Sequence, residues 1–219
     1  MKHKILIAIL CIAFLILLIP PVNTPAAQAA ESIHLGLIYP LNQPDPLFVE
    51  NSSEAVLAEQ QFLGLVRLDE NGNLIPDLAQ GWEISDDGLT WTFFLQEGVP
   101  WVASNFERIR DVYAEDVLFT MFRAFDFGLF EEIVQGIEPI DDYTIQFSLR
   151  SPNPEFGTLL AVSPAAKIVP FDLVQEAGDA WIEPGVIWGA GSYLMVERTD
   201  SFVRLEANPF YKDETGVVV

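Results

Sequence analysis

Apolar and polar residues alternate most strictly just after Asp86-Asp87-Gly88. Leu89, Trp91, Phe93 and Leu95 fall on one side; Thr90, Thr92, Phe94 and Gln96 fall on the other. That two-residue period predicts a half-buried strand, with the acidic dipeptide and glycine as the reversal before it. The same period returns in residues 143–149, where Tyr143, Ile145, Phe147 and Leu149 share a side. An Asp141-Asp142 turn precedes them, so residues 136–140 are expected to be the hairpin partner. Asn71-Gly72 between apolar runs marks another hairpin, because Asn-Gly favours the positive φ angles of tight turns. A short strand is expected over residues 33–38, followed by a Pro-rich loop.

Helical patterns occupy three other stretches. Asn51-Ser52-Ser53-Glu54 offers side-chain oxygens for an N-cap, so a helix is expected over about residues 54–63. Residues 114–125 carry Glu115 and Asp116 early and Arg123 late, matching the helix dipole. There Val117, Met121 and Ala124 share one face, and Leu118, Phe122 and Phe125 another. Asn153-Pro154 reads as an N-cap with Pro at the first helical position, opening a short helix to about Ala161. Strands and helices mixed in this order predict an α/β protein.

The first thirty residues change the picture from fold to destination. Lys2, His3 and Lys4 precede an apolar run over residues 5–19, and Ala27-Gln28-Ala29 supplies a small-x-small cleavage pattern. These are the parts of a secretory signal, with cleavage expected after Ala29. The run is shorter than the ~20 apolar residues of a spanning helix. Cys11 is the single cysteine and lies inside that run after Leu10, which is hydrophobic filler rather than a lipid-attachment signal. The exported part therefore has no disulfide, and about 190 residues suffice to bury a core without one. Loss of Lys2 and Lys4 makes the formal net charge of −21 still more negative. Such acidity argues against nucleic-acid partners and anionic lipid surfaces. It suits a soluble secreted protein; the preferred reading is that it only aids solubility, the other that it favours cationic ligands.

Residue chemistry offers little for catalysis. A Ser-His-Asp site needs a histidine, and after cleavage only His34 remains, in a predicted strand. Cys/His metal sites are missing for the same reason, and no metal or cofactor is expected. Asp69-Glu70-Asn71-Gly72-Asn73 has the acidic start of a calcium loop, but Leu74 stands at the sixth position where Gly is required. No phosphate-binding Gly-rich loop with Lys occurs. The carboxylate doublets Asp69-Glu70, Asp86-Asp87, Glu115-Asp116 and Asp141-Asp142 sit in predicted turns or at a helix start; Glu131-Glu132 is the exception. A paired-carboxylate hydrolase stays open as an alternative on that ground.

A resemblance covers nearly all of residues 33–212. Gly64-Leu65, Pro76, Leu78-Ala79, Trp82, Ser85, Asp87-Gly88, Trp91-Thr92-Phe93 and Leu95 occur in the order of a signature of the extracytoplasmic solute-binding proteins of peptide-type ABC importers, family 5. Asp141, Asp142, Thr144, Phe147, Leu149, Pro152, Pro154 and Phe156 match a second signature, of a hairpin and helix. Residues 189–193 resemble the family's G-T-G-P-Y turn, and residues 205–211 its L-x-x-N-x-x-Y run. Two departures stand out: the D-G-x-P turn expected after Trp101 is missing, and Tyr113 replaces the usual helix-capping Thr. Arg110 and Asp111 are the candidates for that local work.

The resemblance implies a periplasmic-binding-protein-like α/β fold (type II, family 5), of which this chain is the N-terminal lobe. Residues 30–61 and 165–219 would form the lobe core and residues 62–164 an inserted β-rich subdomain. Trp82, Trp91, Phe93, Tyr143, Ile145 and Phe147 would be its core. The second lobe is expected to be absent from this chain, as in a truncated gene. The implied function is the extracytoplasmic substrate-binding component of an ABC importer, not an enzyme. It would capture a small molecule, most often a peptide, and deliver it to permease subunits, acting as a monomer that meets the membrane only through the permease. A remnant without binding activity is the further alternative. In related proteins the loop after the Asp-Pro pair lines the cleft, which points here to residues 47–53 and to Glu50 and Ser52 as ligand contacts. The other reading is that Ser52 merely caps the helix and Glu50 is solvated. The lone lobe is expected to bind weakly or not at all.

Overall fold

The computed structural model describes residues 32–39, 41 and 44–212. The expected secretory signal, the cleavage expected after Ala29 and Cys11 lie outside the described residues.

Two strands that flank most of the chain meet in one sheet. β1 (Ser32–Gly36) pairs antiparallel with β12 (Phe202–Ala207), which pairs in turn with β11 (Tyr193–Arg198). Val203 and Leu205 of β12 and Leu194 and Met195 of β11 are buried, so alternation along β12 turns every second side chain inward. Leu194 and Met195 stand in unbroken register and so face opposite sides of the sheet, both buried, before a bulge between Met195 and Glu197 shifts the period of β11.

The aromatic-rich stretches form a separate four-stranded antiparallel sheet. Its order is β4 (Ala79–Ile84), β5 (Thr90–Leu95), β9 (Thr144–Leu149) and β8 (Val134–Asp141). Trp91, Phe93 and Leu95 on β5 and Ile145, Phe147 and Leu149 on β9 are all at most 2% exposed, as their alternation predicts. Phe93 and Phe147 meet edge to face at 5.7 Å, and Phe156 closes on Phe147 and Trp91 at 5.4 and 5.6 Å. Trp82 and Tyr143 depart from expectation: both are only half-buried. Trp82 lies on β4, an edge strand, and Tyr143 lies in the turn before β9, with its hydroxyl 3.4 Å from an Asp111 carboxylate oxygen. An edge and a turn leave one flank of a large ring in water.

Both predicted glycine turns form. β2 (Val66–Leu68) and β3 (Leu74–Pro76) make a hairpin whose Gly72 has φ +80°, and Gly88 between β4 and β5 has φ +69°. Asp69 accepts the Asn71 and Asn73 amide N–H groups at 2.8 and 2.7 Å, and these bonds close the first turn. A third sheet had no period to announce it. β6 (Pro100–Ala103) pairs with β7 (Arg108–Asp111) and with the two-residue β10 (Trp188–Gly189).

The first helix, α1 (Ser52–Gln61), starts and ends two residues earlier than the pattern suggests. Asn51 is the cap: its side-chain oxygen accepts the Ser53 and Glu54 N–H groups at 3.0 and 3.1 Å. Ser52 therefore does not cap the helix. α2 (Ala114–Asp126) buries Val117, Met121 and Ala124, whereas Phe122 on its other apolar stripe is 50% exposed. α3 (Phe156–Val162) begins after a turn in which Asn153 accepts from Glu155 N–H, so Pro154 precedes the helix rather than opening it. α4 (Phe171–Ala177) follows.

Candidate functional site

The loop ahead of α1 is held at both ends by buried carboxylates. At its start, Asp45 is 3% exposed and accepts the Leu47 N–H at 3.0 Å, which opens a single 3-10 turn over Pro46–Phe48. The same carboxylate pairs with Arg123 of α2 and accepts the Trp181 indole N–H at 3.3 Å. Arg123 in turn lies 5.9 Å from the ring centres of both Phe119 and Trp181. At the loop's end, Glu54 is 1% exposed and accepts the Glu50 N–H at 2.8 Å. Ser53 Oγ accepts the Tyr39 N–H at 3.2 Å. Burial of a carboxylate is tolerated where donors converge on it, and a carboxylate so satisfied fixes the backbone it touches.

Glu50 and Ser52 sit on this anchored segment with their side chains exposed. Glu50 uses its main-chain N–H internally and presents its carboxylate outward; Ser52 opens α1 without capping it. The arrangement offers one carboxylate and one hydroxyl on a backbone held by internal hydrogen bonds. The sequence pointed to Glu50 and Ser52 but missed Glu54 as their anchor, because an acidic residue in a first helical turn is expected for the dipole alone. It also read Arg123 only as a dipole match. Nothing local announces that Trp181, distant in sequence, closes on Asp45.

Two further charge clusters are structural. Asp116, fully buried at the third position of α2, accepts from Tyr113 N–H at 2.9 Å, Trp101 Nε1 at 3.1 Å, Phe171 N–H at 3.1 Å and the Arg110 guanidinium at 2.8 Å. Arg110 also reaches Asp172 at 2.7 Å, and these bonds hold the Asp172 carboxyl below its ordinary range. Arg110 thus steadies the Asp116 carboxylate that accepts the Tyr113 N–H. A guanidinium only donates and does not replace the hydroxyl acceptor of a Thr cap, and Asp111 pairs with Arg108 instead. The second cluster surrounds Gly64. Its N–H donates to Asp77 at 2.7 Å, and the buried Lys167 ammonium pairs with Glu59 at 2.7 Å. Burial pushes the Asp77 carboxyl up to about 6, against the pull of Lys167.

A concavity of about 580 Å³ lies near Gly64 and not at the loop; Leu63, Arg67, Asp77, Gln96, Tyr211 and Lys212 are on its walls. Glu50 and Ser52 do not line it. Among the described residues no group of three or more His, Cys, Asp or Glu side chains is placed to hold a metal ion, and no helix is long and apolar enough to cross a membrane.

The family described as bacterial extracellular solute-binding proteins, family 5 Middle, matches residues 73–217, and the chain belongs to it. The periplasmic oligopeptide-binding protein OppA of Escherichia coli K12 is 27% identical over 199 residues, which are 80% of this chain and 35% of that protein. The oligopeptide-binding protein AmiA of Streptococcus pneumoniae is 31% identical over 140 residues, 54% of this chain and 21% of that one. Haemophilus influenzae OppA, solved in complex with the peptide RPPGFSPFR, superimposes with a TM-score of 0.70 at 27% identity, covering 79% of this chain and 37% of that one. An oligopeptide-binding protein of Borrelia burgdorferi shares the fold at a TM-score of 0.73 and 24% identity, over 83% of this chain and 40% of that one. The chain thus spans well under half the length of the relatives it matches.

Proposed function

We propose that this chain contributes one wall of a peptide-binding cleft in the extracytoplasmic substrate-binding component of an ABC importer. The protein would hand its ligand to a permease and perform no covalent chemistry. The observation that carries this reading is the loop over residues 47–53: two buried carboxylates fix its backbone while Glu50 and Ser52 remain exposed. The ligand class is taken from AmiA and OppA, which are named oligopeptide-binding proteins, while two other relatives are named for heme and deoxycholate. In this reading Glu50 faces a cationic group of the ligand, such as a peptide ammonium, and Ser52 donates or accepts one hydrogen bond. Proteins of this kind close two lobes around a ligand by a hinge motion.

The test uses this segment joined to a second lobe of the family. Peptide affinity by calorimetry is expected to fall in Glu50→Ala and Ser52→Ala by about tenfold each, the ~1.4 kcal/mol of one lost polar contact. Undiminished binding in both variants would remove these residues from the site. The 219-residue chain alone is expected to bind weakly at best, because one wall desolvates a ligand on one side only. Sub-micromolar peptide affinity of the chain alone would overturn that expectation.

A further inference from the structure

Beside the anchored loop the surface is aromatic. Phe48, the last residue of the 3-10 turn, meets Phe127 edge to face with ring centres 4.9 Å apart. Phe127 directly follows α2 and is 60% exposed, and Phe48 is half-buried. The two rings come together for a stated reason. Phe119 and Arg123, four residues apart, share one side of α2, and Phe127 caps its end four residues further on. Arg123, one turn before Phe127, is the partner of Asp45, three residues before Phe48. The ion pair that fixes the loop therefore also fixes the ring pair, and it is sheltered by Trp181 and Phe119.

A large aromatic ring left in water costs hydrophobic free energy, and here the cost is set beside the one loop that presents Glu50. Two residues along an extended chain separate Cα atoms by at most about 7 Å, so the exposed Glu50 and the half-buried Phe48 share one short stretch of the anchored loop. The surroundings are acidic: Asp126 precedes Phe127, and a Glu131 carboxylate oxygen lies 3.9 Å from where a side chain on Gly128 would begin. The nearby cations are engaged, Arg123 with Asp45 and Arg150 with the Glu131 carbonyl at 2.8 Å. An anionic partner is disfavoured by this rim; a ligand with a positive group and an adjoining apolar side chain matches both halves of it.

The geometry points to Phe48 and Phe127 as a specificity shelf that receives an aromatic or large aliphatic ligand side chain next to the ammonium held by Glu50. This inference rests on the peptide-binding reading and adds to it the residue preference and the side chains that set it. Phe127 makes the choice, because it is the more exposed ring and carries no main-chain duty in the loop.

Photo-crosslinking of the full chain reads weak binding directly. The probe is alanyl-p-benzoylphenylalanyl-alanine at millimolar concentration, with adducts mapped by mass spectrometry. Saturable adducts are expected at Phe48, Phe127 or their immediate neighbours, competed better by Ala-Phe-Ala than by Ala-Ser-Ala. Phe127→Ser should lower their yield about tenfold and abolish the difference between competitors, since an apolar side chain loses its cover. Glu50→Gln should weaken capture of the probe yet keep the preference for Phe over Ser. Circular dichroism confirms that Phe127→Ser, a change at an exposed ring, leaves the fold intact. Adducts on residues 47–53 that ignore Phe127→Ser would overturn the shelf and leave the binding loop standing. Adducts confined elsewhere would overturn both. Absence of any saturable adduct would overturn the shelf, and calorimetry on the two-lobed protein would then judge the loop by itself. Concentration-dependent dimerisation abolished by Phe127→Ser, without peptide capture, would assign the rings to a second copy and overturn the shelf.

Discussion

Asp77 is a residue whose environment alters its chemistry. An unfolded aspartate titrates near 3.9, whereas burial raises Asp77 to about 6 in the folded chain. Between those values the folded state binds more protons than the unfolded state, so this group makes stability fall as pH rises through that window. Above pH ~6 the cost of the buried charge is fully present; below about 4 it is gone. Asp77→Asn keeps an oxygen for the Gly64 N–H and removes the charge. Urea unfolding from pH 4 to 7 should show the variant gaining stability over the parent as pH rises. A constant difference across that range would refute the assignment. Phe93 and Phe147 are a simpler case. Both are fully buried, and truncation of either to Ala should cost about 3–5 kcal/mol in the same assay.

At the scale of elements, the turn after β10 is seated on the end of α1. The Gln61 carbonyl accepts from both Ala190 N–H at 3.1 Å and Gly191 N–H at 3.0 Å. Gln61 Oε1 accepts from Met195 N–H at 2.6 Å, and Asn208 Nδ2 donates to the Gly191 carbonyl at 2.9 Å. A methyl group at Gly191 would stand 2.2 Å from the Gln60 carbonyl oxygen, so backbone must move. Gly191→Ala should therefore destabilise the chain by more than about 2 kcal/mol. Gly81→Ala is the control, because nothing lies within 4 Å of the added carbon. Equal thermal stability of the two variants would show that the turn is not seated as described. The glycine pattern at residues 189–193, legible as a family resemblance, acquires here a physical cause: close backbone approach.

At the scale of the whole molecule, the acidic chain with its N-terminal signal pattern is read as exported. Mass spectrometry of the exported protein should find it beginning at Ala30; a protein beginning at Met1 would contradict that. What the sequence by itself determined is local or periodic. Alternation placed Trp91, Phe93, Ile145 and Phe147 inward, and glycines in Asn-Gly and Asp-Gly placed two turns, because a two-residue period and a positive φ are properties of short segments. Ordered motifs carried the family. Tertiary structure alone decided the rest. Trp82 and Tyr143 are half-buried because an edge strand and a turn leave one flank open, which periodicity does not encode. The loop at Glu50 is tied down where Asp45 meets Arg123 and Trp181, 78 and 136 residues away. Phe127 faces Phe48 for the same reason. Contacts at such separations depend on how whole elements pack, and no pattern within one segment specifies which carboxylate will find which guanidinium.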